Sequence, residues 1–242
     1  MLLDIEGTTC PVSFVAETLF PYAARALGPF LEAETPQRKE VRQLLEAVHQ
    51  AWVRDEDPAA RRLWDQNPED AAGYLRWLIK QDRKLPALKE LQGLVWQAGY
   101  SSGELVAPLF PDVADNLRRW QAQGLGLSVY SSGSVAAQQL LYQHSTGGDL
   151  RPLFQHWFDT RTGPKQQKSS YEEISGELRH DPAEIVFISD SAAECLAARE
   201  AGMVVLFSDR EGNPQRDPQG LTPITNFSQL RFLPSSGETS TP

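Results

Sequence analysis

Asp4 and Glu6 stand two residues apart, with Gly7, Thr8 and Thr9 directly behind them. Two carboxylates, a glycine and two hydroxyls in one short loop can do three things: supply a nucleophile, hold a hard divalent cation, and turn backbone N–H groups toward a phosphate. An acidic turn closing a strand would use the same residues, so their meaning rests on partners further along. Ser131-Ser132-Gly133-Ser134 follows an apolar run and opens a helix, which makes an anion cradle. Asp190 closes the apolar run Ile185-Val186-Phe187-Ile188, one residue after it. Lys165 and Lys168 lie between Asp159 and a helix near Ser169, and either could set a point charge against a phosphoryl group. Taken singly, Ser131 and Asp190 read as helix caps and Lys165 as a solvated lysine. Taken in this order they describe phosphoryl transfer. Glu194, one helical turn past Asp190, either faces the metal or caps its helix.

The chemistry follows from the residue types. Asp4 attacks phosphorus and forms an aspartyl-phosphate. Mg²⁺ bridges carboxylate and phosphate oxygens and keeps neighbouring carboxylates ionised against their mutual repulsion. Ser131 and the lysine stabilise the equatorial oxygens. Water then hydrolyses the intermediate, with Glu6 as candidate acid and base. His144 and His180 have no metal-ligand spacing and read as structural or solvated.

These residues need a scaffold that brings separate loops together. The lead Met1-Leu2-Leu3 reads as the end of a strand. From Pro111 onward helix and strand signals alternate: a helix carrying Val113, Leu117 and Trp120, a strand at 125–130, a helix at 135–142 and a strand at 156–159. A helix at 169–178, a strand at 185–188, a helix at 192–201 ended by Gly202, and a strand at 204–207 complete the series. Such alternation predicts an α/β fold, a doubly wound Rossmann-like parallel sheet whose site lies outside the carboxyl ends of its strands. Residues 14 to 105 carry helical spacing only, in four helices, with Gly99-Tyr100-Ser101-Ser102-Gly103 breaking the last. The predicted organisation is a discontinuous core, 1–13 and 108–242, interrupted by a helical cap, 14–107. The four tryptophans at 52, 64, 77 and 96 would pack the cap's interior. The polar tail 234–242 reads as disordered.

Composition narrows the function. The chain has 242 residues, 40% of them hydrophobic, with a net charge of −9 and no basic cluster. That argues for a buried core and against nucleic acid or an anionic membrane surface as partner. The partner would be a small phosphorylated molecule. The two cysteines, Cys10 and Cys195, have no metal-type spacing and read as reduced thiols. With no signal peptide and no run of about 18 apolar residues, a soluble cytoplasmic protein is expected.

At this point the sequence resembles the haloacid dehalogenase superfamily of phosphohydrolases. Within it, Asp-Ile-Glu-Gly-Thr-Thr, with Glu6 where Asp is usual, resembles the enolase-phosphatase of methionine salvage. The likeness extends through Trp77-Leu78, Asp82-Arg83-Lys84 and Leu91-Gln92-Gly93. It continues in Val129-Tyr130-Ser131-Ser132-Gly133-Ser134-Val135, Gly163-Pro164-Lys165, Ser170-Tyr171 and Phe187-Ile188-Ser189-Asp190. It implies conversion of 2,3-diketo-5-methylthiopentyl-1-phosphate, by enolisation and dephosphorylation, to the acireductone 1,2-dihydroxy-3-keto-5-methylthiopentene. It implies Asp4, Glu6 and Asp190 around Mg²⁺, with Ser131, Ser132 and Lys165 on the substrate, in a monomer. Lys165 is preferred over Lys168 because it stands five residues before Ser170-Tyr171, as the family's lysine does. The family carries more residues before its first motif, so a start upstream of Met1 and a shortened first strand are expected here. Cys10 replaces a common threonine, with small effect expected, and Glu211 replaces a common proline, which should loosen its loop. The competing readings are a phosphatase of the same fold for another small phosphoester, and a module that binds a phosphorylated ligand without turnover.

Overall fold

Leu2 and Leu3 form β1, and both side chains are fully buried. Each contributes about 1.5–3 kcal/mol by leaving water. The computed structural model describes residues 1–232; the expected disordered tail, 234–242, lies outside them. β1 pairs in parallel on both sides: Leu2 and Leu3 lie opposite Ser128 and Val129 of β2 (Leu127–Tyr130), and opposite Phe187 and Ile188 of β4 (Val186–Ser189). β3 (Phe154–Phe158) flanks β2, while β5 (Val204–Ser208) and β6 (Pro223–Ile224) extend the other side. The order is β3-β2-β1-β4-β5-β6, all parallel. Chain direction across the sheet therefore reverses at β1, and the crevice at such a switch point is where this class of sheet binds ligands.

The chain divides into two compact units, Met1–Phe14 with Val106–Pro242, and Val15–Leu105. The first holds the sheet. Among its helices, α6 (Val113–Ala122) comes before β2, α7 (Val135–Gln143) after β2, α8 (Lys168–Leu178) after β3 and α9 (Ala192–Glu200) after β4. Its core gathers Tyr130, Phe158, Tyr171, Ile174, Phe187 and Phe207, all buried. Strand β6 was not anticipated; two residues beginning with proline carry no periodicity to read.

The second unit is helical: α1 (Phe20–Glu34), α2 (Lys39–Val53), α3 (Pro58–Gln66), α4 (Ala71–Lys80) and α5 (Pro86–Ser102). The sequence reading counted four helices and passed over α3. Its start was written in Asp57-Pro58: Asp57 accepts from the Ala59 N–H at 2.8 Å, and Pro58 takes a first-turn position that needs no N–H. The break expected over residues 99–103 falls at the last of them. α5 runs to Ser102 and stops at Gly103, whose φ of 79° ends the helix. Gly99 is there for close approach: a Cβ on it would lie 2.5 Å from the Tyr22 hydroxyl. Of the four tryptophans here, Trp52 is buried and the other three are half-buried. Trp52 stacks on Tyr74 at 4.6 Å and meets Trp64 edge-on at 5.2 Å. No helix among the described residues is long and apolar enough to cross a membrane.

Candidate active site

Asp4 follows β1 directly, and its backbone N–H continues the sheet by donating to Ile188 O at 3.0 Å. Ile5 to Cys10 then fold into a tight loop, with the N–H groups of Thr8, Thr9 and Cys10 all donating to Ile5 O. The Asp4 side chain, 5% exposed, is held at both oxygens. Oδ1 accepts from the Ile5 N–H at 2.8 Å and from Lys165 Nζ at 2.7 Å. Oδ2 accepts from Ser189 Oγ at 3.1 Å. The same lysine reaches Glu194 Oε2 at 2.6 Å, and Ser189 Oγ lies 2.9 Å from that oxygen. Asp4, Lys165, Glu194 and Ser189 thus close a ring around the carboxylate that was read as the nucleophile.

Lys165 is buried in this ring, and local packing explains its direction. Gly163 has a φ of 152°, and a Cβ there would strike Ser170 Oγ at 2.2 Å. Ser170 Oγ donates to Pro164 O at 2.8 Å, and Tyr171 Oη to Lys165 O at 2.6 Å. The first turn of α8 therefore pins the loop. Burial alone would lower the lysine's pKa, but the Asp4 and Glu194 carboxylates overcome it and hold the ammonium above its ordinary range. Lys168, the alternative, is half exposed and pairs with Glu172 at 2.8 Å on the surface of α8.

Asp190 follows β4 by one residue and is half-buried. Its Oδ2 lies 2.1 Å from where a Cβ on Gly7 would stand, so only glycine lets the two loops meet. Burial pushes Asp190 up to about 7, assisted by Asp4, Glu194 and Glu6. Burial, and then Asp4, raise Glu6, which the Lys165 charge partly offsets. Glu194 is pushed up to about 7 by burial and by Asp4, against the pull of Lys165. Four carboxylates thus share one ammonium. These hard oxygen donors, in excess of the available positive charge, suit a small divalent cation and not a soft one. They are not gathered into a cage: among the described residues no three His, Cys, Asp or Glu side chains are grouped to hold a metal ion. Mg²⁺ commonly uses one or two carboxylates together with substrate phosphate and water, which such an arrangement accommodates.

Ser131 follows β2 by one residue and is buried; its N–H donates to Phe158 O at 3.2 Å and its hydroxyl accepts from the Gly133 N–H at 3.3 Å. Ser132 is exposed at the tip of the same loop. The start of α7 is less open to an anion than the sequence suggests. The Val135 N–H already donates to Asp159 Oδ2 at 3.3 Å, and the Ala137 N–H to Ser134 Oγ at 3.3 Å. Sequence reasoning gave no part to Ser189; its signal was its place as the last residue of β4, next to Asp190. Cys10 and Cys195 are free and buried, and burial pushes each thiol up to about 12, out of reactive range.

The haloacid dehalogenase-like hydrolase family matches residues 1–202. The chain belongs to that family. Among relatives of this hydrolase, a Prochlorococcus marinus protein (strain MIT 9313) named Enolase-phosphatase E1 is 48% identical, covering 94% of this chain and 95% of its own. Another of that name, from Synechococcus sp. (strain RCC307), is 51% identical over 89% of this chain and 86% of its own. Among solved structures, UTR4 protein from Saccharomyces cerevisiae is 33% identical with a TM-score of 0.78, covering 95% of this hydrolase and 98% of that chain. CbbY from Rhodobacter sphaeroides, 21% identical with a TM-score of 0.56 over 95% of this chain and 94% of its own, shares the fold.

Proposed function

We propose that this hydrolase is an enolase-phosphatase of methionine salvage, converting 2,3-diketo-5-methylthiopentyl-1-phosphate to 1,2-dihydroxy-3-keto-5-methylthiopentene and phosphate. The relatives' shared name supports the activity. The observation that carries the mechanism is Asp4, buried at the switch point and held by Lys165 and Ser189. A carboxylate oxygen of Asp4 attacks phosphorus as the ester P–O bond breaks, and the leaving oxygen takes a proton from Glu6. Water then attacks the aspartyl-phosphate, Glu6 recovers the proton, and Asp4 is released with inorganic phosphate. Lys165 directs N–H bonds to Asp4 and Glu194, and a third remains for a phosphoryl oxygen. Ser131 and Ser132 contact the substrate from the loop after β2. In the preceding half-reaction Glu6 removes the proton from carbon next to a carbonyl, its extra methylene over Asp giving the reach, and the proton it recovers from water at the end passes to the enolate oxygen of the product, which returns Glu6 to its ionised form. Asp4, Glu6 and Asp190 would hold Mg²⁺, which when bound supplies positive charge to phosphoryl oxygens and polarises the ketone. Residues 14–107 serve as the cap domain that selects substrate, inserted in the sequence of a core made of 1–13 and 108–242, in a cytoplasmic monomer.

The test measures phosphate release with Mg²⁺ on the diketo phosphate and on generic sugar phosphates. Asp4→Asn is expected to lose at least about a thousandfold of turnover; retention of activity would remove the nucleophile assignment. Faster release from the sugar phosphates would favour another small phosphoester as substrate. Glu6→Asp, followed spectroscopically, is expected to slow enol formation by roughly tenfold or more. Normal enol formation with phosphate release lost would sink the base assignment and leave Glu6 with the phosphatase step alone.

A further inference from the structure

The segment after β5 reaches back to the nucleophile loop and grips it by the main chain. Ser208 Oγ donates to Gly7 O at 2.9 Å, and Asn213 Nδ2 donates to the same carbonyl at 2.9 Å. Two donors on one oxygen occupy both of its lone pairs. Arg210 Nε donates to the next carbonyl, Thr8 O, at 3.3 Å. All three side chains are buried, at 0%, 7% and 4% exposure, so water does not compete for these acceptors. The grip is itself braced. Asn213 Nδ2 also donates to Ser208 O at 3.0 Å. Arg210 pairs with Asp112 at 2.7 Å, donates to Thr225 O at 3.0 Å, and lies between the rings of Phe110 and Phe227, 4.7 Å from each. Glu211, which was expected to loosen this loop, is exposed between two buried anchors.

The gripped peptide matters because of where it lies. Gly7 has a φ of 67° and meets the Asp190 carboxylate on one side, while its carbonyl is held by Ser208 and Asn213. Its neighbour Glu6 is one residue away and Asp4 three. Fixing the Gly7–Thr8 peptide sets the turn that carries Glu6 and sets the gap into which Asp190 fits. We propose that Ser208, Arg210 and Asn213 are positioning residues for catalysis, a clamp that holds the nucleophile loop in its working conformation. This rests on the reading of Asp4 and Glu6 under the proposed function. The clamp's residues touch no reacting atom; they act through two backbone carbonyls.

The experiment measures kcat, KM and melting temperature for Ser208→Ala, for the near-isosteric Asn213→Asp, and for the double variant, with Mg²⁺ and the diketo phosphate. Asn213→Asp puts an acceptor where a donor stood. Each single variant is expected to lose roughly tenfold to a hundredfold in kcat with KM held within about threefold. The double variant should lose less than the product of the two, because both donors serve one carbonyl. Either single variant that folds suffices for the decision. A folded variant with kcat within about twofold of the parent, even with a lower melting temperature, overturns the clamp and leaves these residues as ordinary packing. Asp4→Asn runs alongside: if it is inactive while the clamp variants are normal, the clamp alone falls. If it retains turnover, the nucleophile assignment falls and the clamp with it.

Discussion

Lys165 divides its ammonium between Asp4 and Glu194, and that division sets the chemistry at the residue scale. A lysine in a ring of carboxylates stays charged, so it can serve the phosphoryl group as a fixed cation. The family resemblance pointed to Lys165 over Lys168 by its spacing to Ser170-Tyr171, and Lys165 is the lysine that reaches Asp4, for a physical reason: those two side chains bond the carbonyls of Pro164 and Lys165. Asp4 and Asp190 were visible because each lies just beyond an apolar strand. Ser189, Ser208 and Asn213 were not, because serine and asparagine aimed at a carboxylate or a carbonyl look like any polar residue until the chain is folded. Glu194 was left between two uses, and the structure adds a third contact by placing it on Lys165 and Ser189. Gly7 offers the sharpest residue-level test. Gly7→Ala is expected to cost about 1–2 kcal/mol for the left-handed backbone and to push Asp190 out of place. Thermal melts should show the modest loss of stability, while turnover should fall by roughly a hundredfold.

At the scale of elements, strands were read well wherever both faces are buried, as in β4, where Phe187 and Ile188 are wholly enclosed. Among the helices α3 was passed over, and at the end of α5 two glycines turn out to have different uses. Gly99 opens the stretch read as a break, yet it lies inside α5 and is a contact point for Tyr22, whose hydroxyl donates to Glu104 at 2.9 Å. Helix propensity alone would make Gly99→Ala stabilising by about 1 kcal/mol. Overpacking against Tyr22 costs about 1–3 kcal/mol, so a net loss is expected, and a higher denaturation midpoint in urea would contradict it. The linker between α2 and α3 offers a second test. Burial tends to raise Asp55, but the Asp57 N–H, Tyr74 hydroxyl and Arg83 guanidinium outweigh it and hold its pKa below the ordinary value. A carboxyl lowered on folding stabilises fully above its unfolded pKa, near about 4, and loses that contribution as pH falls through the folded value. Acid titration of the helical signal should therefore show a step below about pH 4 that Asp55→Asn removes.

For the whole molecule, the alternation of helix and strand points to a parallel sheet, and the uninterrupted helical stretch to a separate helical unit. The order of the strands lay beyond it, because nothing local in a run of apolar residues says which neighbour it will take. That order has a consequence in time. β1 is made well before its partners, which are β2 and, only from Val186 onward, β4. Its pairings close very long loops, which makes them late and slow by comparison with the local contacts of the helical unit. Asp4 acquires Lys165 and Ser189 no earlier than that closure. The proposed nucleophile is thus made long before the side chains that hold it, and it stays without them until synthesis has passed Ser189 and, for the rest of the ring, Glu194.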